Sequence, residues 1–107
     1  MVAYLLDQMT ICVKDLISMA TITMNHDATI DFLELNVSGN LLIFRDTKRT
    51  LSLFNMNSHD RVTLLTFCDY VQWVPASDVI VAQDRTKMCV WYNPRAPDQV
   101  RKINDSD

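Results

Sequence analysis

The sequence predicts an all-β fold built from repeated units, and three observations carry that prediction. One pattern recurs 38 positions apart without a gap: residues 31–55 and 69–93 share three identities, Asp31/Asp69, Asp46/Asp84 and Asn55/Asn93, while their apolar positions match far more fully. Phe32 meets Tyr70, Leu33 meets Val71 and Leu35 meets Trp73. Leu41, Leu42 and Ile43 meet Val79, Ile80 and Val81, and Leu51, Leu53 and Phe54 meet Cys89, Trp91 and Tyr92. Each unit also splits into short apolar segments separated by Ser, Asp, Asn and Pro, residues that set or tolerate turn geometry. Finally, the second segment of each unit is apolar on both alternating faces, Leu41-Leu42-Ile43-Phe44 and Val79-Ile80-Val81-Ala82. A strand with one wet face would alternate, so these segments are expected between two neighbouring sheets. A period of roughly 40 residues with several short strands per unit is the signature of a β-propeller blade.

The elements follow in order, with the strands of a blade labelled a to d. Residues 2–6 read as a b strand, 10–15 as a c strand and 20–24 as a d strand; a matching a strand is absent. The c strand ends in Asp15 as the later ones end in Asn55 and Asn93. The first full unit has strands at 30–36, 41–45, 50–55 and 62–67. The second has them at 69–74, 79–83, 87–92 and about 99–103, with turns at 37–40, 46–49 and 75–78. Both a segments place two apolar residues on one side, Leu33 with Leu35 and Val71 with Trp73, over a mixed opposite side. The expected organisation is a partial blade at 1–29, a blade at 30–67 and a blade at 68–107 that ends in a polar C-terminal tail. The fold class is thus a partial WD-type β-propeller, about two complete four-stranded blades plus three strands of a preceding one. A propeller closes its ring with ~4–8 blades. The inventory therefore leaves two sheet faces uncovered and one strand edge unpaired, surfaces that invite a partner. The expectation is a chain that is part of a longer protein or leans on a neighbour.

Composition narrows the class. With 107 residues the chain is one domain at most, and 49% hydrophobic content supplies a core. No apolar run approaches the ~18–20 residues of a membrane span, and the N-terminus lacks a basic region and a cleavage-site pattern, so no transmembrane segment and no secretion are expected. Cys12, Cys68 and Cys89 lie in apolar stretches and read as buried, reduced thiols. Ten Lys plus Arg against thirteen Asp plus Glu make a net charge of −3, which argues against a general nucleic-acid binder.

No catalytic constellation is found, and neither a cofactor nor a small-molecule substrate is expected. His26 and His59 fall in predicted loops with no second ligand at metal spacing. Asp27 is the nearest carboxylate, and both read as exposed loop histidines. Cys68 and Cys89 alternate with core residues, which disfavours a nucleophile. There is no glycine-rich phosphate loop. The aromatic residues, among them Trp73, Trp91, Tyr70 and Tyr92, recur at like places in the units, as packing between blades requires. One surface feature repeats: the b–c turns read Asp46-Thr47-Lys48-Arg49 and Asp84-Arg85-Thr86-Lys87. Equivalent turns emerge on one face of a propeller, so Lys48, Arg49, Arg85 and Lys87 form a candidate partner-facing arc. The plainer reading is solvated turns whose charge the adjacent aspartates partly cancel.

Certain runs carry a more specific likeness. Phe32-Leu33-Glu34-Leu35-Asn36, then Gly39 and Leu42-Ile43-Phe44-Arg45-Asp46, resemble the intraflagellar transport protein 172 family. So do Phe67-Cys68-Asp69-Tyr70-Val71-Gln72-Trp73-Val74-Pro75, Ser77-Asp78-Val79, Val81-Ala82-Gln83 and Cys89-Val90-Trp91-Tyr92-Asn93 with Ala96-Pro97. The resemblance covers residues 31–97 well and the first thirty more loosely. It implies a non-enzymatic scaffold, a WD-repeat segment from the propeller region of a large subunit of the intraflagellar transport B complex. Such a subunit acts in cilium assembly and maintenance. Its partners would be other transport subunits or the missing blades of its own propeller, and its place the cilium or flagellum and basal body, on the cytoplasmic side. The alternative is a WD-repeat segment of a vesicle-coat or other membrane-trafficking scaffold. Two departures stand out. Gly-His is missing, and the Trp-Asp position reads Phe54-Asn55 and Tyr92-Asn93, which puts the usual side-chain network in doubt. Gly39 is also the single glycine, few for a chain full of tight turns.

Overall fold

The computed structural model describes residues 1–85 and 87–104. Thr86, in the second charged turn, and the polar tail at 105–107 lie outside the described residues. Among the described residues there are eleven strands and no helix, arranged as three antiparallel sheets whose strands follow one another in chain order. The first sheet holds β1 (Val2–Asp7), β2 (Thr10–Lys14) and β3 (Thr21–Asn25). The second holds β4 (Ile30–Leu35), β5 (Leu41–Asp46), β6 (Leu51–Asn55) and β7 (Arg61–Leu65). The third holds β8 (Tyr70–Trp73), β9 (Ile80–Asp84), β10 (Lys87–Trp91) and β11 (Arg101–Asn104). This is the all-β architecture of a partial propeller, with every expected strand present.

Two apolar clusters hold the stack together. Ile11, Val13 and Met24 of the first sheet meet Ile30, Leu42, Phe44 and Phe54 of the second. Leu41, Ile43, Leu51 and Leu53 on the other face of the second sheet meet Val71, Trp73, Ile80, Ala82, Cys89 and Trp91 of the third. β5 contributes to both, and Leu41, Leu42, Ile43 and Phe44 are all 0% exposed. Its unbroken apolar run is explained by this: alternation is pointless for a strand with no wet face. The paired apolar residues of the a strands also do as expected, Leu33 and Leu35 facing the first sheet and Val71 and Trp73 the second.

The turns show a repeat that the 38-residue spacing hides. Asp15 Oδ1 accepts the backbone N–H groups of Ile17 and Ser18, and Asn55 Oδ1 accepts those of Asn57 and Ser58. In each turn a serine Oγ then accepts the N–H two residues on, from Ala20 and from Asp60. Met19 and His59 both sit at φ 63°. The first two sheets therefore share one c–d turn, spaced 40 residues apart rather than 38. Asn93 starts the same turn by accepting from the Arg95 N–H, but Pro94 and Pro97 lead the chain elsewhere. The scarcity of glycine is also resolved. Besides Gly39 at φ 75°, the left-handed positions among the described residues are filled by Met19, Arg49, His59, Ala76 and Arg85, each at a cost of roughly 1–2 kcal/mol that glycine avoids.

Register corrects the gap-free correspondence. The a–b pairing keeps the 38-residue spacing: Phe32 opposes Arg45 as Tyr70 opposes Gln83. The b–c pairing does not. Leu42 opposes Phe54 and Phe44 opposes Ser52, whereas Ile80 opposes Trp91 and Ala82 opposes Cys89. The partner of Phe54 is thus Trp91, and that of Ser52 is Cys89. The expected matches of Leu53 with Trp91 and Phe54 with Tyr92 are overturned. The turn after Asp84 is one residue shorter than the turn after Asp46, and Tyr92, 63% exposed, absorbs the difference before Asn93. Since side chains alternate along a strand, it is this one-residue slip that turns Trp91 toward the second sheet; strict 38-residue correspondence would put it at the place of Leu53, on the opposite face.

Candidate functional site

The b–c turns place all four basic candidates at the surface. Lys48, Arg49, Arg85 and Lys87 are exposed, on hairpins β5–β6 and β9–β10 of neighbouring sheets. Among the described residues no ion pair engages any of the four. Their backbones are less alike than the spacing implies. Arg49 occupies a left-handed position at φ 72° and its carbonyl accepts the Cys68 N–H at 2.7 Å, while Lys87 is already the first residue of β10. The Arg85 guanidinium lies 4.4 Å from the Phe67 ring centroid, so part of its charge is directed at its own chain.

Asp46 is not a surface counter-charge. Its side chain is 4% exposed and its Oδ1 accepts the N–H groups of Lys48 and Thr50 at 2.9 and 3.0 Å. Its Oδ2 lies 2.8 Å from His26 Nε2. Burial pushes the Asp46 carboxyl up, but the hydrogen bonds from His26 and the two amides outweigh it, and the group sits below its ordinary value of 3.8. The expectation that Asp46 offsets Lys48 and Arg49 at the surface is thus corrected for this turn.

The same pair corrects the reading of His26 as an exposed loop residue. Its side chain is 9% exposed and its ring meets Phe44 edge-on, with centroids 5.2 Å apart. Arg61 Nη1 approaches Nδ1 at 3.4 Å. A guanidinium only donates, so Nδ1 accepts and the Nε2–H donates to Asp46. Arg61 also donates to the Asn25 carbonyl at 3.0 Å. A side-chain network is nonetheless present at the first seam, made by His26 in the loop before β4 with Asp46 and Arg61 and without the Phe54-Asn55 pair. His59 is exposed, as expected, and stacks on Phe54 at 5.9 Å.

Other seam contacts were invisible to spacing. Arg45 Nε meets Asp31 at 3.0 Å within the second sheet, which aims Arg45 Nη1 across the seam to the Asp69 carbonyl at 2.8 Å. Trp73 gives its backbone N–H to Glu34 Oε1 and its indole N–H to the Glu34 carbonyl at 3.0 Å. Asn36 Nδ2 donates to Asp78 at 3.0 Å. The three that cross between the second and third sheets join residues 24 to 42 positions apart with no shared local pattern. Cys12, Cys68 and Cys89 are free and buried, and burial pushes the Cys68 and Cys89 thiols up, away from the thiolate needed for nucleophilic attack. Among the described residues no three His, Cys, Asp or Glu side chains converge as a metal site, and no helix is long and apolar enough to cross a membrane.

Comparison with known proteins bears out the resemblance seen in the sequence. The chain is 52% identical over 101 residues to intraflagellar transport protein 172 of Chlamydomonas reinhardtii, with 92% of the chain covered. It is 50% identical over 99 residues to the Homo sapiens homologue, again over 92% of the chain. It is 44% identical over 102 residues to intraflagellar transport protein osm-1 of Caenorhabditis elegans, over 94%. The chain spans about 6% of the length of these relatives. No protein-family model matches it.

Proposed function

We propose that this chain, a homologue of one short stretch of intraflagellar transport protein 172, acts as a non-enzymatic interaction scaffold within the transport machinery. The carrying observation is identity near 50% over 92% of the chain, together with a fold of stacked sheets that presents turns and faces in fixed places. In this reading it is a WD-repeat segment of a transport B-complex subunit and serves cilium assembly and maintenance. Its contribution is geometric. The seams hold the sheets at a set spacing, and partners assemble on what the sheets expose. Other transport subunits or further blades cover the outer faces, where Tyr4, Tyr70, Met88 and Ile103 stand exposed. The place of action is the cilium or flagellum and basal body, on the cytoplasmic side.

The direct test is replacement. In ciliated cells that depend on a full-length relative, the matching stretch is exchanged for this chain's sequence. Co-purification with transport subunits and entry into the cilium are expected; a stable hybrid that does neither overturns the reading. The basic turns are tested in the same background by changing Lys48, Arg49, Arg85 and Lys87 together to Glu. A docking edge predicts loss of at least one co-purifying subunit, and an unchanged set removes the turns from the partner surface.

A further inference from the structure

We propose that a cleft between the second and third sheets binds one large apolar side chain of an extended peptide with a lysine or arginine beside it. The cleft arises where the repeat breaks. In the first two sheets the c–d connection is the same tight turn, from Asp15 to Ala20 and from Asn55 to Asp60. In the third, prolines replace it. Pro94 is fully buried, and the Pro97 carbonyl accepts the indole N–H of the buried Trp91 at 3.1 Å. Arg95 reaches Asp78 at 3.7 Å. The loop is held at both ends, and it leaves a half-open space of about 210 Å³ against β6 and β7.

The lining selects the ligand class. Leu53, Val62, Pro94 and Pro97 make the walls apolar. The volume is several times the ~30 Å³ share of one water, yet below the ~300 Å³ at which drug-sized ligands are enclosed. It suits one side chain of leucine or aromatic size. Two charges flank it, Asp60 and Arg95. Arg95 is engaged with Asp78, whereas the Asp60 carboxylate has no ion pair among the described residues. The rim therefore favours a cation next to the buried group. An apolar anchor in a pocket, with a polar edge that sets its neighbours, is how small areas achieve selective binding. The proposal rests on the cleft alone and does not require the transport role.

The test uses the full chain and a fluorescein-labelled octapeptide with a central leucine flanked by lysines, read by fluorescence anisotropy. Replacing the leucine by glycine is expected to weaken binding at least ~10-fold. Val62→Lys, at a residue already partly exposed, should do the same by filling the slot and placing a like charge at its mouth. Asp60→Lys should lower affinity for the lysine peptide ~3-fold and raise it for a glutamate-flanked one. Circular dichroism of each variant separates loss of the cleft from loss of the fold. No saturable binding by the folded chain up to millimolar peptide, equal binding of the glycine peptide, or indifference to both substitutions overturns the proposal.

Discussion

β5 and β9 carry the same kind of sequence and meet different fates. Both are apolar at successive positions, and both are the second strand of a four-stranded sheet. In β5 four consecutive side chains, Leu41 to Phe44, are wholly buried. In β9 Ile80 and Ala82 are wholly buried, while Val81 between them and Gln83 after them are only partly covered. The strands differ in what lies beyond them. The second sheet has a neighbour on either side, and the third has one only on the side of Ile80 and Ala82. Burial here is a property of a strand's place in the stack as much as of its residues.

The comparison can be broken by truncation. Phe44→Ala should cost ~3–5 kcal/mol and Val81→Ala less than ~1.5 kcal/mol in urea unfolding, because only the first leaves a closed cavity. Equal losses would mean that the outer face of the third sheet is covered in solution. The next contrast is between the two turn aspartates. Asp46 is buried and holds His26 and two amides, so Asp46→Ala should cost ~2–4 kcal/mol. Asp84 is half-buried in a turn with no histidine, and Asp84→Ala should cost less than ~1 kcal/mol. Acid sharpens this. Because the folded state lowers the Asp46 pKa below 3.8, its stabilisation is complete above that value and is lost as pH falls through the depressed one. Denaturation midpoints measured from about pH 5 to about pH 2 should therefore decline more steeply for the natural chain than for Asp46→Asn. The smallest effect concerns the left-handed turns. Ala76→Gly, at φ 60°, should raise stability by at most ~1 kcal/mol, since relief of strain is offset by a more flexible unfolded chain. Gly39→Ala, at φ 75° with Met1 Cβ 3.3 Å from the added methyl, should lower it by a similar amount.

Much of the architecture was readable because it rests on residue type at short range. The doubly apolar run at Leu41 announced a strand between sheets, the run at Val79 announced a strand that the described residues cover on one face only, and Asp15, Asn55 and Asn93 marked the ends of the c strands. The slip in the third sheet escaped notice because Leu53-Phe54 and Trp91-Tyr92 are each two adjacent apolar residues, and such a doublet fits either parity. His26 was missed for another reason. Its partner is 20 positions away, and nothing near it in sequence announces burial; only packing against Phe44 and Arg61 reveals its place. The stitches from Arg45 to Asp69 and from Trp73 to Glu34 likewise exist only once the sheets are stacked.

The one-residue slip at the second b–c turn, compensated at Tyr92, bears on how tandem units inherit change. An exchange drawn at the 38-residue period would deliver Trp91 to the place of Leu53 and so aim an indole out of the opposite face of the sheet. The a and b strands, whose pairing keeps that period, remain interchangeable. The c strands are not: moved by 38 residues, one needs a one-residue shift to keep its face.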